Sequence, residues 1–201
     1  MPPNTDNGTT RQIGPPLRQR YADLRPREYL TPAEVELLMA TARKRGSHRD
    51  ATLILLGYRH GLRVGELCAL RWDQVDLKQG RLHVNRLKGS ESGVHPLGGE
   101  ELRALRRLQR DQVESRHVFS TSHGATLSHA GIRKMIARLG EVAGLEFPIH
   151  PHMLRHACGY AQVNKGTDIR VLQQFLGHRN IQHTVRYAAL SDARFVGMWQ
   201  D

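Results

Sequence analysis

Four short strings carry the residues that could do chemistry: HGLRVGEL (60–67), RLKGSESGVHPL (86–97), HPHMLRHACGY (150–160) and LGHRNIQHTVRY (176–187). Between them they hold Arg63, Lys88, His152, Arg155, His178 and Tyr187. An arginine fork can grip two non-bridging oxygens of a phosphodiester at once. Cations fixed around phosphorus stabilise the charge that builds there as a bond breaks. Tyrosine can attack phosphorus, but its phenol has a pKa of about 10 and needs a base or a strongly cationic site. Glu66, one turn after Arg63, is placed to buttress the site by pairing with a basic group.

Taken singly, each of these residues has an ordinary reading. A lone arginine or a lysine in a polar turn is usually solvated, and a lone tyrosine is usually amphipathic surface. Lys88 has a competitor in Lys78, and Tyr187 has competitors in Tyr58 and Tyr160, which sit inside apolar helical runs and read as core. His152 and His156 stand at i, i+4, a spacing that also suits zinc, but Arg155 lies between them and no HExxH glutamate is present. What distinguishes the set is its order along the chain.

In that order the strings closely resemble the catalytic domain of the tyrosine site-specific recombinases, the phage integrase family. The marks are an arginine in a G-L-R-x-x-E-L segment, a hairpin lysine, an H-x-x-R pair, and L-G-H with a tyrosine nine residues on. The resemblance spans residues 30–201 and is nearest to the short recombinases that invert the promoter element of type 1 fimbriae. It implies that Tyr187 forms a covalent 3′-phosphotyrosine, which conserves bond energy, so religation needs neither ATP nor a metal. It also implies that Arg63 and Arg155 clamp the phosphate, His152 accepts the tyrosine proton, Lys88 protonates the departing 5′-oxygen, and His178 bonds the phosphate or positions the tyrosine. No cofactor is implied. The implied partner is double-stranded DNA with inverted-repeat half-sites, bound by homodimers that pair as a homotetramer, with accessory DNA-bending proteins an open matter. Integration, excision or resolution stays open beside inversion. So do a regulator that kept the fold without the chemistry and a nicking-closing enzyme.

The elements that must position these residues are legible in outline. Thr31, Pro32 and Glu34 fit a capping box, and Val35, Leu38, Met39 and Ala42 follow as a helical stripe. ATLILLGYRHG (51–61) predicts a buried helix, and VGELCALRW a short one after it. RLHVN and SGVHP alternate around a polar turn, a β-hairpin signal. EELRALRRLQR (100–110), a helix capped by Ser128, one opened by Pro151 and one capped by Asp168 and closed by Gly177 complete the prediction, with a last amphipathic helix at DARFVGMW. The expected fold is mainly α with a small antiparallel β-sheet (α+β), a catalytic domain over residues 29–201. A short helix is marginal unless packed. Phe195, Val196, Met198 and Trp199 therefore make residues 191–201 a candidate docking helix for a neighbouring subunit.

Bulk properties agree. The 201 residues carry 30 Lys and Arg against 19 Asp and Glu, a net charge of +11 that favours a polyanionic partner. Residues 1–28 are rich in Pro and Arg and too short to form a separate core-binding domain; they read as a disordered tail or a DNA-contacting arm. No apolar run is long enough to span a membrane and no secretory leader is visible, which points to the cytoplasm. Cys68 and Cys158 form no CxxC pair and are expected to be free thiols.

Overall fold

The computed structural model describes residues 27–86 and 91–189. The described chain runs α1 (Pro32–Lys44), α2 (His48–Arg59), α3 (Val64–Ala69), β1 (Val75–Asp76), β2 (Arg81–Val84), β3 (Gly93–Pro96), α4 (Gly99–Asp111), α5 (His129–Val142), α6 (Pro151–Asn164), α7 (Ile169–Leu176) and α8 (Gln182–Ala189). This is the expected mainly helical fold with a small antiparallel sheet. The proposed docking helix at 191–201, the tail up to residue 26 and the tip of the hairpin at 87–90 lie outside the described residues.

The predicted caps are present. Thr31 Oγ1 accepts the Glu34 N–H, and Glu34 reaches back to the Thr31 N–H, closing the capping box of α1. Ser128 caps α5 and Asp168 caps α7. Helix α2 is buried from Asp50 to Gly57 because it packs against α1, α4 and α6. Truncating Leu53 or Leu56 in such a helix costs about 2–5 kcal/mol.

The sheet has the order β1-β2-β3, both pairs antiparallel, with Val75 opposite Leu82 and Leu82 opposite His95. Along β2, Leu82 and Val84 face the core while Arg81 and His83 face out, the alternation that the sequence predicts. Strand β1 is too short, at two residues, to leave a period in the sequence.

The apolar interior falls into two clusters. The larger joins α1 to α6 and the sheet. The smaller consists of Cys158, Val163, Leu172, Leu176, Tyr187 and Ala188, so α6, α7 and α8 pack around the tyrosine. Both cysteines are free and buried. No helix among the described residues is long and apolar enough to cross a membrane.

Candidate active site

The site forms where three chain ends meet: the α2–α3 turn, the base of the β2–β3 hairpin and the C-terminus of α7. Glycines permit the meeting. Gly61 has φ +56°, and its carbonyl faces the site. Gly177 has φ +65° and ends α7; a Cβ there would stand 2.7 Å from the Glu91 carbonyl oxygen of the hairpin. The L-G-H glycine is thus the point at which hairpin and helix touch.

Arg63 precedes α3, and Glu66, three residues on, accepts both its backbone N–H at 2.9 Å and its Nη1 at 2.8 Å. The other Glu66 oxygen contact is Arg86, whose Nη1 lies 2.6 Å from Oε2, with 1% and 2% of the two side chains exposed. Burial works to raise the Glu66 carboxyl, but Arg86 and then Arg63 outweigh it and hold its pKa below the usual range. Arg86 also donates from Nη2 to the Phe175 carbonyl at 2.7 Å, tying the hairpin base to the end of α7.

Arg155, on α6, is 1% exposed. Its guanidinium donates to the carbonyls of Gly61 and, at 2.7 Å, Leu176. A cation at a helix C-terminus complements the macrodipole, so α7 is terminated by two arginines. Burial, then the charges of Arg63 and Arg86, lower Arg155 to about 10, which leaves it cationic near neutrality. Arg63 differs: 31% of its side chain is open to solvent.

Tyr187 lies on α8 and is 2% exposed. Its hydroxyl is 3.1 Å from His156 Nδ1. The ring stacks with His178 at 6.3 Å and meets Tyr160 edge-on at 5.2 Å. Burial pushes the phenol up to about 12, with Arg155 acting against the rise. His178 is oriented by Thr184, one turn before Tyr187, through a 2.8 Å contact to Nδ1. Burial and then Arg155 and Arg63 bring His178 down to about 3. His152 sits one turn before His156, ring to ring at 4.4 Å, and is exposed to solvent. Partial desolvation, then His156 and Arg155, hold it at about 4.

The structure therefore brings together Arg63, Glu66, His152, Arg155, His178 and Tyr187. Lys88 lies outside the described residues. Glu66 pairs with Arg63 and Arg86, and Tyr58 and Tyr160 pack against the core, half-buried. Arg86 and Gly159 have no role in the sequence pattern, and His156 enters it only through its i, i+4 spacing to His152. A Cβ on Gly159 would stand 2.6 Å from Tyr187 Cε2, so the ring rests on that glycine. The signal for His156 and Gly159 was available, since 152, 156 and 159 share a helical face. Among the described residues, no three His, Cys, Asp or Glu side chains converge on a point that could hold a metal ion.

A helical domain in which hairpin, helix end and tyrosine helix close around arginines and histidines is the catalytic-domain architecture of DNA strand-exchange enzymes, and the comparisons agree. The model of the Phage integrase family matches residues 28–194, and the chain belongs to that family, the tyrosine recombinases. It is similar to the type 1 fimbriae regulatory proteins FimE and FimB of Escherichia coli K12. FimE is 42% identical over 181 residues, 87% of this chain and 91% of FimE. FimB is 43% identical over 185 residues, 89% of this chain and 92% of FimB. Among solved structures, the XerA recombinase superposes with a TM-score of 0.74 at 29% identity, covering 85% of this chain and 63% of XerA. A lambda integrase dimer bound to a COC′ core site shares the fold, with a TM-score of 0.67 at 21% identity over 86% of this chain and 49% of that one.

Proposed function

We propose that the chain cleaves and rejoins double-stranded DNA through a 3′-phosphotyrosine on Tyr187, and that the event it serves is inversion of a DNA segment between inverted repeats. One observation carries the chemistry: the tyrosine is seated beside His156 and His178, with the Arg155 charge close enough to oppose the rise in its pKa. Inversion is supported by the similarity to FimE and FimB along 87–89% of the chain.

In this reading the scissile phosphate docks between Arg63 and Arg155. Arg63 is open enough to receive an oxygen, and Arg155 is held rigid by the Gly61 and Leu176 carbonyls. Preorganised donors of this kind cost no reorganisation as charge develops. His178, held by Thr184, faces the same phosphate. Tyr187 oxygen bonds to phosphorus, the bond to the 5′-oxygen breaks, and Lys88 supplies that oxygen with a proton. The phenol proton passes to His152, one turn before His156 on α6 and exposed to solvent. Reversal by a new 5′-hydroxyl reseals the strand without ATP. Homodimers on each site and a tetramer in synapsis follow from the pairing of two inverted repeats.

The test is covalent capture. A duplex selected from a random-sequence DNA pool by the wild-type protein is nicked near the cleavage point, so that the freed 5′ fragment departs. Wild type is expected to accumulate a protein–DNA adduct insensitive to EDTA. Tyr187→Phe should form none while binding the duplex normally, and Arg63→Ala or Arg155→Ala should slow adduct formation by at least ~100-fold. An adduct with the Phe variant removes Tyr187 as nucleophile. Binding without any wild-type adduct favours a regulator that kept the fold.

A further inference from the structure

We propose that His156 and Gly159 are positioning residues for the nucleophile: Gly159 sets the height of the Tyr187 ring and His156 aims its hydroxyl. This rests on Tyr187 being the nucleophile and assigns roles to two residues that the four strings left without any.

Three residues of α6, His156, Gly159 and Tyr160, form the wall behind Tyr187. They lie at i, i+3 and i+4, so they share one helical face. Each touches a different part of the tyrosine. Tyr160 meets the ring edge-on at 5.2 Å. Gly159 lies under the ring: a Cβ there would stand 2.6–2.7 Å from Cε2, Cδ2 and Cζ, closer than carbon atoms pack. Glycine inside a helix is unfavourable relative to alanine, and α6 bears that cost at the position where the ring needs the space. His156 Nδ1 lies 3.1 Å from the hydroxyl, at the distal end of the ring.

The direction of the hydrogen bond follows from the surroundings. Burial, with Arg155 and Arg186 adding to it against Glu28, brings His156 down to about 4, so its imidazole is neutral at working pH. The phenol keeps its proton in the same buried setting. Tyr187 therefore donates and Nδ1 accepts, which puts the imidazole proton on Nε2. With the O–H directed at His156, the oxygen lone pairs point away from α6. A buried hydroxyl without a partner is unfavourable, so the hydroxyl has little freedom to turn elsewhere. Removing the acceptor frees it. Adding a methyl at 159 lifts the ring and moves the oxygen with it.

The experiment measures the single-turnover rate of adduct formation on the nicked duplex at saturating protein, with DNA affinity measured separately. His156→Asn places a carbonyl oxygen close to the position of Nδ1 and preserves the acceptor, whereas His156→Phe fills the space without one. The expected result is a rate loss of ~10- to ~100-fold for His156→Phe and for Gly159→Ala, the scale on which small misplacements act. His156→Asn should recover to within about fivefold of wild type, and affinity should stay within about twofold throughout. Equal rates for the Asn and Phe variants, or wild-type rates for Phe and Gly159→Ala, overturn the assignment. Tyr187→Phe, run alongside, separates the two levels. An adduct there sinks the nucleophile itself; its absence, with unimpaired His156 and Gly159 variants, sinks only the positioning roles.

Discussion

The two clamp arginines have the same chemistry and opposite structural burdens. Arg63 is partly solvated and shares Glu66 with Arg86, so the fold keeps a cation on Glu66 when Arg63 is removed. Arg155 is enclosed and holds two carbonyls that no solvent can reach easily. Unmet buried acceptors cost about 1–3 kcal/mol each. With two such acceptors, Arg155→Ala is therefore expected to melt lower than wild type by roughly 4–24 °C, from about 2–4 °C per kcal/mol at this chain length. Arg63→Ala should melt close to wild type. Thermal melts of the two variants decide this, and equal losses would show that Arg155 is not carrying the α7 terminus. The sequence identified both arginines by type and order, but not this difference, because burial of a charged residue depends on which carbonyls converge on it from other elements. Glu66 was readable for the opposite reason: its partner Arg63 is local. Its other partner, Arg86, comes from 20 residues away and left no local sign.

Among the elements, those with local punctuation were legible and those without were not. Thr31, Ser128 and Asp168 announce their helices through side-chain caps, and Gly177 announces the end of α7 through a left-handed residue. Helix α8 carries the tyrosine, yet QHTVRYAA shows no stripe of large aliphatic residues and buries Thr184, Tyr187 and Ala188 instead. Its helicity comes from packing on α6 and α7, which a single sequence does not display. The junction of hairpin, α3 and α7 has the same long-range character, and the buried Glu66–Arg86 pair holds it. Breaking one side of such a pair strands a charge in the interior at about 3–5 kcal/mol. Arg86→Met should lower the urea-denaturation free energy by about that amount and also slow cleavage, since the chain just after β2 loses its tie to the Phe175 carbonyl beside the Leu176 carbonyl that Arg155 holds. A variant of wild-type stability would show that Arg63 alone satisfies Glu66.

For the whole molecule, charge and protonation pull in separable ways. The net charge of +11 sets DNA affinity at long range, so binding should weaken steeply as salt rises. Folding responds to a different set of groups. His95 is buried against Phe175 and His60, and burial, then His60 and Arg86, bring it down to about 3. His178 is also near 3, and His152 and His156 are near 4. An unfolded histidine titrates at about 6.5, so below that pH the unfolded chain binds protons that the folded chain refuses. Stability is complete above about 6.5 and falls as pH drops toward the folded values. Two buried carboxylates act with the same sign at lower pH. Burial raises Glu101, but His60 and the Gly98 N–H outweigh it; Glu66 is held down by its arginines. Both favour folding above the unfolded carboxylate pKa and lose that contribution on acidification. No group in this set opposes the trend, so the melting temperature should fall continuously from pH 7 to 4, with the steepest loss between about 6.5 and 4. Calorimetry across that range checks it. A flat profile down to pH 4.5 would mean that these imidazoles accept protons in the folded state, and with them that His156 is cationic where Tyr187 needs an acceptor.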